Sequence, residues 1–208
     1  MNLELRPKFE GQTVLILGSA PTVTMPRDFS TDWRLICVNA SGLIANRFGF
    51  RTPDLTVITM GGLRKGGPAN VNMRRNLRGL RTDVALIRSS KSNFIKNYFL
   101  GYRSRWLLSK QEFKYEQCAI ATPADSAKVV AAVLEEDAPV AHNISTGVFC
   151  ILLAAHVGAK RIVIAGIDPS STGHAYDQDM LKRQHSGEDR VVLSLLRRDP
   201  RFSFPVDA

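Results

Sequence analysis

No apolar run in the 208 residues reaches the roughly 18–20 positions that a bilayer-spanning helix needs. Residues 1–10, "MNLELRPKFE", are too charged for the core of a secretory leader, so a cytoplasmic chain is the expectation. Cysteine is scarce: Cys37, Cys118 and Cys150 form an odd, scattered set. With no CxxC and no HExxH, a structural zinc site has no ligand pattern to stand on. Two of the thiols sit in apolar contexts, "LICVN" and "VFCILL", and read as small buried hydrophobes. Repeats and Pro/Ser-rich linkers are missing, which points to one domain over 1–208. Acid is missing too over 64–105, where Asp83 stands alone against eleven lysines and arginines. With a formal charge of +9, that imbalance asks for an acidic partner: nucleic acid, anionic lipid or a phosphorylated substrate.

What is present is strand alternating with helix. "TVLIL" (13–17), "RLICVN" (34–39), "LTVIT" (55–59), "VALIR" (84–88) and "RIVIAG" (161–166) are continuous apolar, β-branched runs. Such runs suit parallel strands covered on both faces. Helical spacing fills 41–48, 124–136 and 146–157, and Gly158 supplies the stop for the last. Ser186 and Asp189 have the spacing of a capping box, opening a helix through Arg198. The fold class expected is α/β: one Rossmann-like domain, its sheet mostly parallel, with helices on both faces. Residues 93–118, aromatic and basic, break the rhythm and read as an insertion, a lid or an interaction surface.

In open α/β sheets ligands bind beyond the carboxyl ends of the strands, which selects four loops. After the first strand comes Gly18-Ser19-Ala20-Pro21-Thr22, a tight turn with hydroxyls and amides suited to phosphate oxygens. It is neither GxGxxG nor a Walker loop, since the lysine is absent. Asn39 ends the second strand, where it can cap a helix or bond a base or sugar. Ser145, Thr146 and Gly147 open an apolar helix, so they serve either as its cap or as an anion seat. His156, inside an apolar segment, reads as a core or surface histidine. Asp168 follows the last buried strand, placed to bind a ribose hydroxyl or to hold its loop. Beyond it Tyr176 can donate to a leaving phosphate, and His185 offers an imidazole, the side-chain type whose unperturbed titration lies nearest neutral pH, as a general base.

In this order the motifs resemble the single-domain bacterial sialyltransferases that use CMP-sialic acid. That family runs its first strand into Gly-x-Gly-Pro-Ser, as Gly18 to Thr22 does here with Ala20 at the second glycine. Its second strand ends in Cys-Asn, similar to Cys37-Val38-Asn39. Its Thr-Ser-Gly-Val-Tyr helix start and following Gly-Ile-Asp are matched by Ser145-Thr146-Gly147-Val148-Phe149 and Gly166-Ile167-Asp168. Its catalytic His-Ser looks like His185-Ser186. The chain has Asn143 where the family has arginine, Ser170 where it has a second tyrosine, and Met60-Gly61-Gly62 where it has an asparagine.

The resemblance implies a glycosyltransferase that moves sialic acid or a similar acidic sugar from a CMP-activated donor to a glycan acceptor, such as a lipopolysaccharide or capsule precursor. It implies inversion, no metal and no cofactor other than the donor. Gly18, Ser19, Ala20, Pro21 and Thr22 would line the donor's phosphate and sugar, and Asn39 would touch the nucleotide. Ser145, Thr146 and Gly147 would hold its carboxylate, with Asn143, Asp168 and Ser170 beside it. Tyr176 would bond the departing phosphate, and His185 would take the acceptor proton. The basic stretch 64–105 would hold an acidic acceptor or rest on the inner face of an anionic membrane, and a homo-oligomer is compatible with all of this. Two other readings stand: a phosphate-transfer enzyme of the pterin diphosphokinase-like type, needing a divalent ion, and a basic RNA-binding module. The aromatic signature of the common RNA-recognition fold is not visible.

Overall fold

The continuous apolar runs form strands, because a parallel sheet buried on both faces leaves few positions for a polar side chain. The computed structural model describes residues 4–50, 52–90, 94–134, 144–171, 173–174 and 185–204, with the backbone alone at 94–98 and 100. In chain order the elements are α1 (Arg6–Phe9), β1 (Thr13–Leu17), β2 (Arg34–Val38), α2 (Gly42–Ala45) running into a 3-10 turn (Asn46–Phe48), β3 (Leu55–Thr59) and α3 (Met60–Arg64). They continue with α4 (Pro68–Leu77), β4 (Arg81–Arg88), α5 (Phe94–Lys110), β5 (Lys114–Ala121) and α6 (Pro123–Ala131). The last are α7 (Thr146–His156), β6 (Arg161–Ala165), α8 (Ser186–Leu196) and β7 (Phe202–Ser203).

The seven strands among the described residues join one parallel sheet in the order β5-β4-β3-β2-β1-β6-β7. The chain therefore starts in the middle, winds outward to β5, and then jumps back to lay β6 on the free side of β1. Strand order reverses between β1 and β6, and a crevice opens at such a switch point beyond the carboxyl ends of the two strands. Their pairing runs Thr13 opposite Arg161 through Leu17 opposite Ala165, so both strands end at the same level.

Helices cover both faces. Against one face pack α7 and apolar side chains of α1, α6 and α8; the other is covered by α2 to α5 and by residues 23–33. Ten consecutive residues of α7, Thr146–Ala155, are buried, and the helix lies across β1, β2, β3 and β6. At about 1.5–3 kcal/mol for each large apolar side chain buried, α7 is a principal support of the sheet. Gly158 ends it with φ at +88°, its amide returning to the carbonyl of Ala155 at 3.0 Å. Cys37 and Cys150 are buried, as their apolar contexts imply, and burial pushes the Cys37 thiol up to about 12.

Two elements depart from the sequence reading. Residues 93–118 do not form an appendage on the sheet's rhythm: they supply α5 and most of β5, the edge strand beside β4. The run "KYEQCAIA" carries charge because an edge strand is covered less completely, and only Ala121 of it is fully buried. The capping box expected at Ser186 and Asp189 is also absent. His185 is the N-cap of α8 with no side-chain cap bond, and the Asp189 carboxylate turns inward, away from its own helix end. A reciprocal box does close elsewhere, between Thr122 and Asp125 at the start of α6. Among the described residues no helix is long and apolar enough to cross a membrane.

Candidate active site

The switch point is built by bringing two backbones closer than side chains would allow. The amide of Gly18 donates to Ala165 at 2.8 Å and that of Ala20 to Gly166 at 2.9 Å, extending the β1–β6 pairing into the loops. A Cβ on Gly18 would lie 2.1 Å from the Gly166 carbonyl oxygen and 2.5 Å from Ile167. Gly166 has φ at +68°, a conformation that disfavours every residue with a side chain. The "Gly-turn" after the first strand is thus the point where two strand ends fuse into one floor.

Ile167 then links that floor to α7. A Cβ on Gly147 would stand 3.2–3.3 Å from the Ile167 side chain, so the helix start presses directly on the loop after β6. Ser145 caps α7, its Oγ accepting from the amide of Val148 at 3.2 Å. Its own amide donates to the buried carboxylate of Asp189 at 2.9 Å. The amides of Thr146 and Gly147 belong to the first turn, where no intrahelical partner exists and the helix dipole favours an anion.

Asp189 is the joint between helices. Its carboxylate holds the start of α7 while its amide bonds the carbonyl of His185 at 3.0 Å, one turn back on α8. The first turn of α8, which His185 opens, is therefore fastened to the cap of α7 at Ser145. The His185 Nδ1 is buried with no hydrogen-bond partner among the described residues. A buried nitrogen in that condition costs roughly 1–3 kcal/mol, which a ligand hydroxyl would relieve.

Arg88 enters from the end of β4. Its guanidinium donates to the carbonyl of Ile144 at 2.9 Å and lies 4.9 Å from the centre of the Phe149 ring. Burial lowers its pKa from the usual range, with Cys150 and Asp189 opposing that shift. A permanent cation thus stands behind the start of α7. On the other side of the floor, Ser19 Oγ and His174 Nδ1 meet at 2.8 Å, tying the first turn to the stretch that follows β6.

The remaining candidates fall into place differently. Ser19 and Ala20 are buried, whereas Pro21 and Thr22 are exposed at the rim of the turn. Asn39, at φ +53°, caps no helix; its Oδ1 accepts from the amide of Thr59 at 3.0 Å and so joins the ends of β2 and β3. Asp168 is exposed and holds its own loop, accepting from the amide and the hydroxyl of Ser170 at 2.8 and 2.6 Å. Tyr176 and Asn143 lie outside the described residues. His156 lines a separate cleft of about 560 Å³ with Glu4, Glu10, Asp125 and Lys128, as a surface histidine. Another cavity, of about 140 Å³, runs under α2 from Asn39 towards Arg81.

Sequence reading misses Asp189 in its observed role and Arg88 altogether, and it sees His174 only as one of the polar groups beyond β6, without a role. Only the His174 neighbourhood carried a local signal, a crowding of polar groups beyond β6. Arg88 and Asp189 act across 56 and 44 positions of chain, a distance no spacing rule covers.

No family model matches the chain, and no curated protein matches it in sequence. Solved structures do share its fold. The sialyltransferase CstII from Campylobacter jejuni in complex with cytidine-5'-monophosphate aligns with a TM-score of 0.56 at 15% identity, covering 94% of this chain and 80% of that one. CstII with the substrate analogue CMP-3FNeuAc gives 0.53 at 16% identity, covering 93% and 78%. The monofunctional alpha-2,3-sialyltransferase Cst-I from Campylobacter jejuni gives 0.56 at 14% identity, covering 94% and 76%. The architecture of this chain, a Rossmann-like α/β fold on one parallel sheet, is similar to that of these sialyltransferases.

Proposed function

We propose that this chain is a glycosyltransferase that moves an acidic sugar, sialic acid or a close analogue, from a CMP-activated donor to a glycan hydroxyl. The observation that carries the reading is the fastening of two helix starts at the switch point. Asp189 binds the Ser145 amide and its own amide bonds His185, so an anion seat and an imidazole share one end of the sheet. The fold neighbours agree with it: one structure of CST-II holds CMP together with a trisaccharide acceptor.

In this reading the donor carboxylate sits on the Thr146 and Gly147 amides, reinforced by the Ser145 and Thr146 hydroxyls and by the Arg88 charge. The nucleotide lies along the turn from Gly18 to Thr22 and reaches Asn39, with Asn143, Asp168 and Ser170 beside the sugar. His185 takes the proton of the acceptor hydroxyl as its oxygen attacks the anomeric carbon. The bond from that carbon to the phosphate oxygen breaks, CMP leaves with the electron pair, and Tyr176 donates a hydrogen bond to the departing phosphate. One displacement inverts the anomeric centre. Fixed amides, hydroxyls and a guanidinium meet the developing negative charge, so this scheme needs no metal. The basic 64–105 surface would rest on an anionic membrane and bring a membrane-bound glycan acceptor to the site.

The test is donor consumption and product stereochemistry, followed by NMR with CMP-sialic acid and a panel of oligosaccharide acceptors. Turnover undiminished by a chelator, with an inverted product, is expected. Turnover that vanishes with chelation and returns with a divalent ion would favour metal-dependent phosphate transfer instead.

A further inference from the structure

Helix α5 is packed inside out. Its inward side carries Gly101, Ser104 and Leu108; Ser104 and Leu108 are fully buried, and a Cβ on Gly101 would meet Ile120 of β5 at 2.3 Å. Its outward side carries three described rings: Phe99 is 67% exposed, Tyr102 76% and Trp106 48%. At 100° per residue, positions 99, 102, 106 and 110 fall within one arc of about 80°, opposite the buried residues. Folding explains the inner side, since small residues let the helix lie close to the edge strand. It does not explain three aromatic rings left facing solvent, where their burial energy goes unused.

The charge around the rings identifies what could cover them. Lys110 Nζ stands 4.0 Å from the centre of the Trp106 ring, and Arg103 is exposed between the rings. Lys96 and Arg105 add two more cations to the helix, and α5 has no acidic residue. Helix α4, which with α5 flanks α3 on the same face, adds Arg74 and an exposed Arg75. A second copy meeting this face about a two-fold axis would set these cations against themselves. A bilayer surface rich in anionic lipid satisfies both halves: rings enter the headgroup layer while each nearby cation gains about 1 kcal/mol from the surface potential. Tryptophan and tyrosine with lysine or arginine at their edge are the side chains that settle at that depth.

We infer that the outer face of α5, through Phe99, Tyr102, Trp106, Arg103 and Lys110, docks this protein on an anionic membrane surface. This deepens, and rests on, the membrane contact in the proposed function, by naming the surface that makes it. Docking through this face places no described element across the bilayer.

The experiment uses the full chain, without donor or acceptor. Wild type should sediment with vesicles of equal parts phosphatidylglycerol and phosphatidylcholine and stay in solution with pure phosphatidylcholine. In a Trp33→Phe chain, which leaves Trp106 as the only tryptophan, its fluorescence should shift to the blue with the mixed vesicles. Replacing Phe99, Tyr102 and Trp106 together by serine should weaken vesicle binding at least tenfold, and Arg103→Glu with Lys110→Glu should do the same. All five positions are exposed, and turnover of a soluble donor and acceptor should be unchanged in both variants. Equal binding to both vesicle types, or undiminished binding by the serine variant, would overturn the inference. So would a blue shift that grows with protein concentration in the absence of vesicles, which would make the face a contact between copies. Tight, salt-steep RNA binding lost in the same variants, with no vesicle binding, would assign the surface to nucleic acid. Failure to dock would leave turnover untouched, and failure to turn over would leave docking untouched, so the two readings fail separately.

Discussion

Substituting His185 by alanine should lower transfer roughly 10²–10⁴-fold, the contribution of a positioned general base, while the melting temperature stays close to that of the wild type. The expectation of intact folding has a structural ground. His185 makes no side-chain cap bond, and its carbonyl, which alanine retains, is the atom that receives the Asp189 amide. Deleting the imidazole also removes a buried nitrogen that has no partner among the described residues. Measured kcat should fall with little change in the affinity for the donor, because the donor rests on other groups. Wild-type turnover in a folded His185→Ala chain would reject the imidazole as the base and turn attention to His174 beside Ser19.

Gly18→Ala should be among the most damaging single-methyl changes in the chain. The added carbon would sit 2.1 Å from the Gly166 carbonyl oxygen, a backbone atom that cannot swing aside. Either the two loops separate, breaking the Gly18–Ala165 and Ala20–Gly166 bonds, or the strands shift against each other. Overpacking of this kind costs about 1–3 kcal/mol, which for a domain of this size lowers the melting temperature by about 2–12 °C. Activity should fall further than stability does, since the floor that positions Ser19 and Ile167 is what moves. A Gly18→Ala protein with wild-type melting and turnover would show that β1 and β6 do not end in the close approach described.

How much of this was legible beforehand depends on whether each feature is local. Strands β1, β2, β3 and β6 are continuous apolar runs and declare themselves, as does most of β4. Strand β5 does not, because its exposed positions interrupt the apolar pattern, and the two-residue β7 is too short to have one. In the site, the glycine after β1 and the Ser145 cap were readable, each being a short-range requirement of turn or helix geometry. Asp189 was misread for an instructive reason. Its position three residues after Ser186 satisfies the spacing of a capping box, but its carboxylate has a better partner in the Ser145 amide. That partner is 44 residues away, on α7, which packs beside α8 on the same face of the sheet. The α5 stripe was visible as composition, aromatic and basic, yet which rings faced outward depended on a neighbour, β5, that the pattern concealed.

The central claim is that the end of the sheet between β1 and β6 receives a cytidine nucleotide. Thermal melting in a panel of free nucleotides tests it without any assumption about the acceptor. At a hundredfold excess over its dissociation constant, a ligand adds about 2.7 kcal/mol to stability. For a chain of this size that raises the melting temperature by about 5–11 °C. The account predicts such a rise with CMP and none with ADP or GDP; a melting temperature unmoved by millimolar CMP would contradict it.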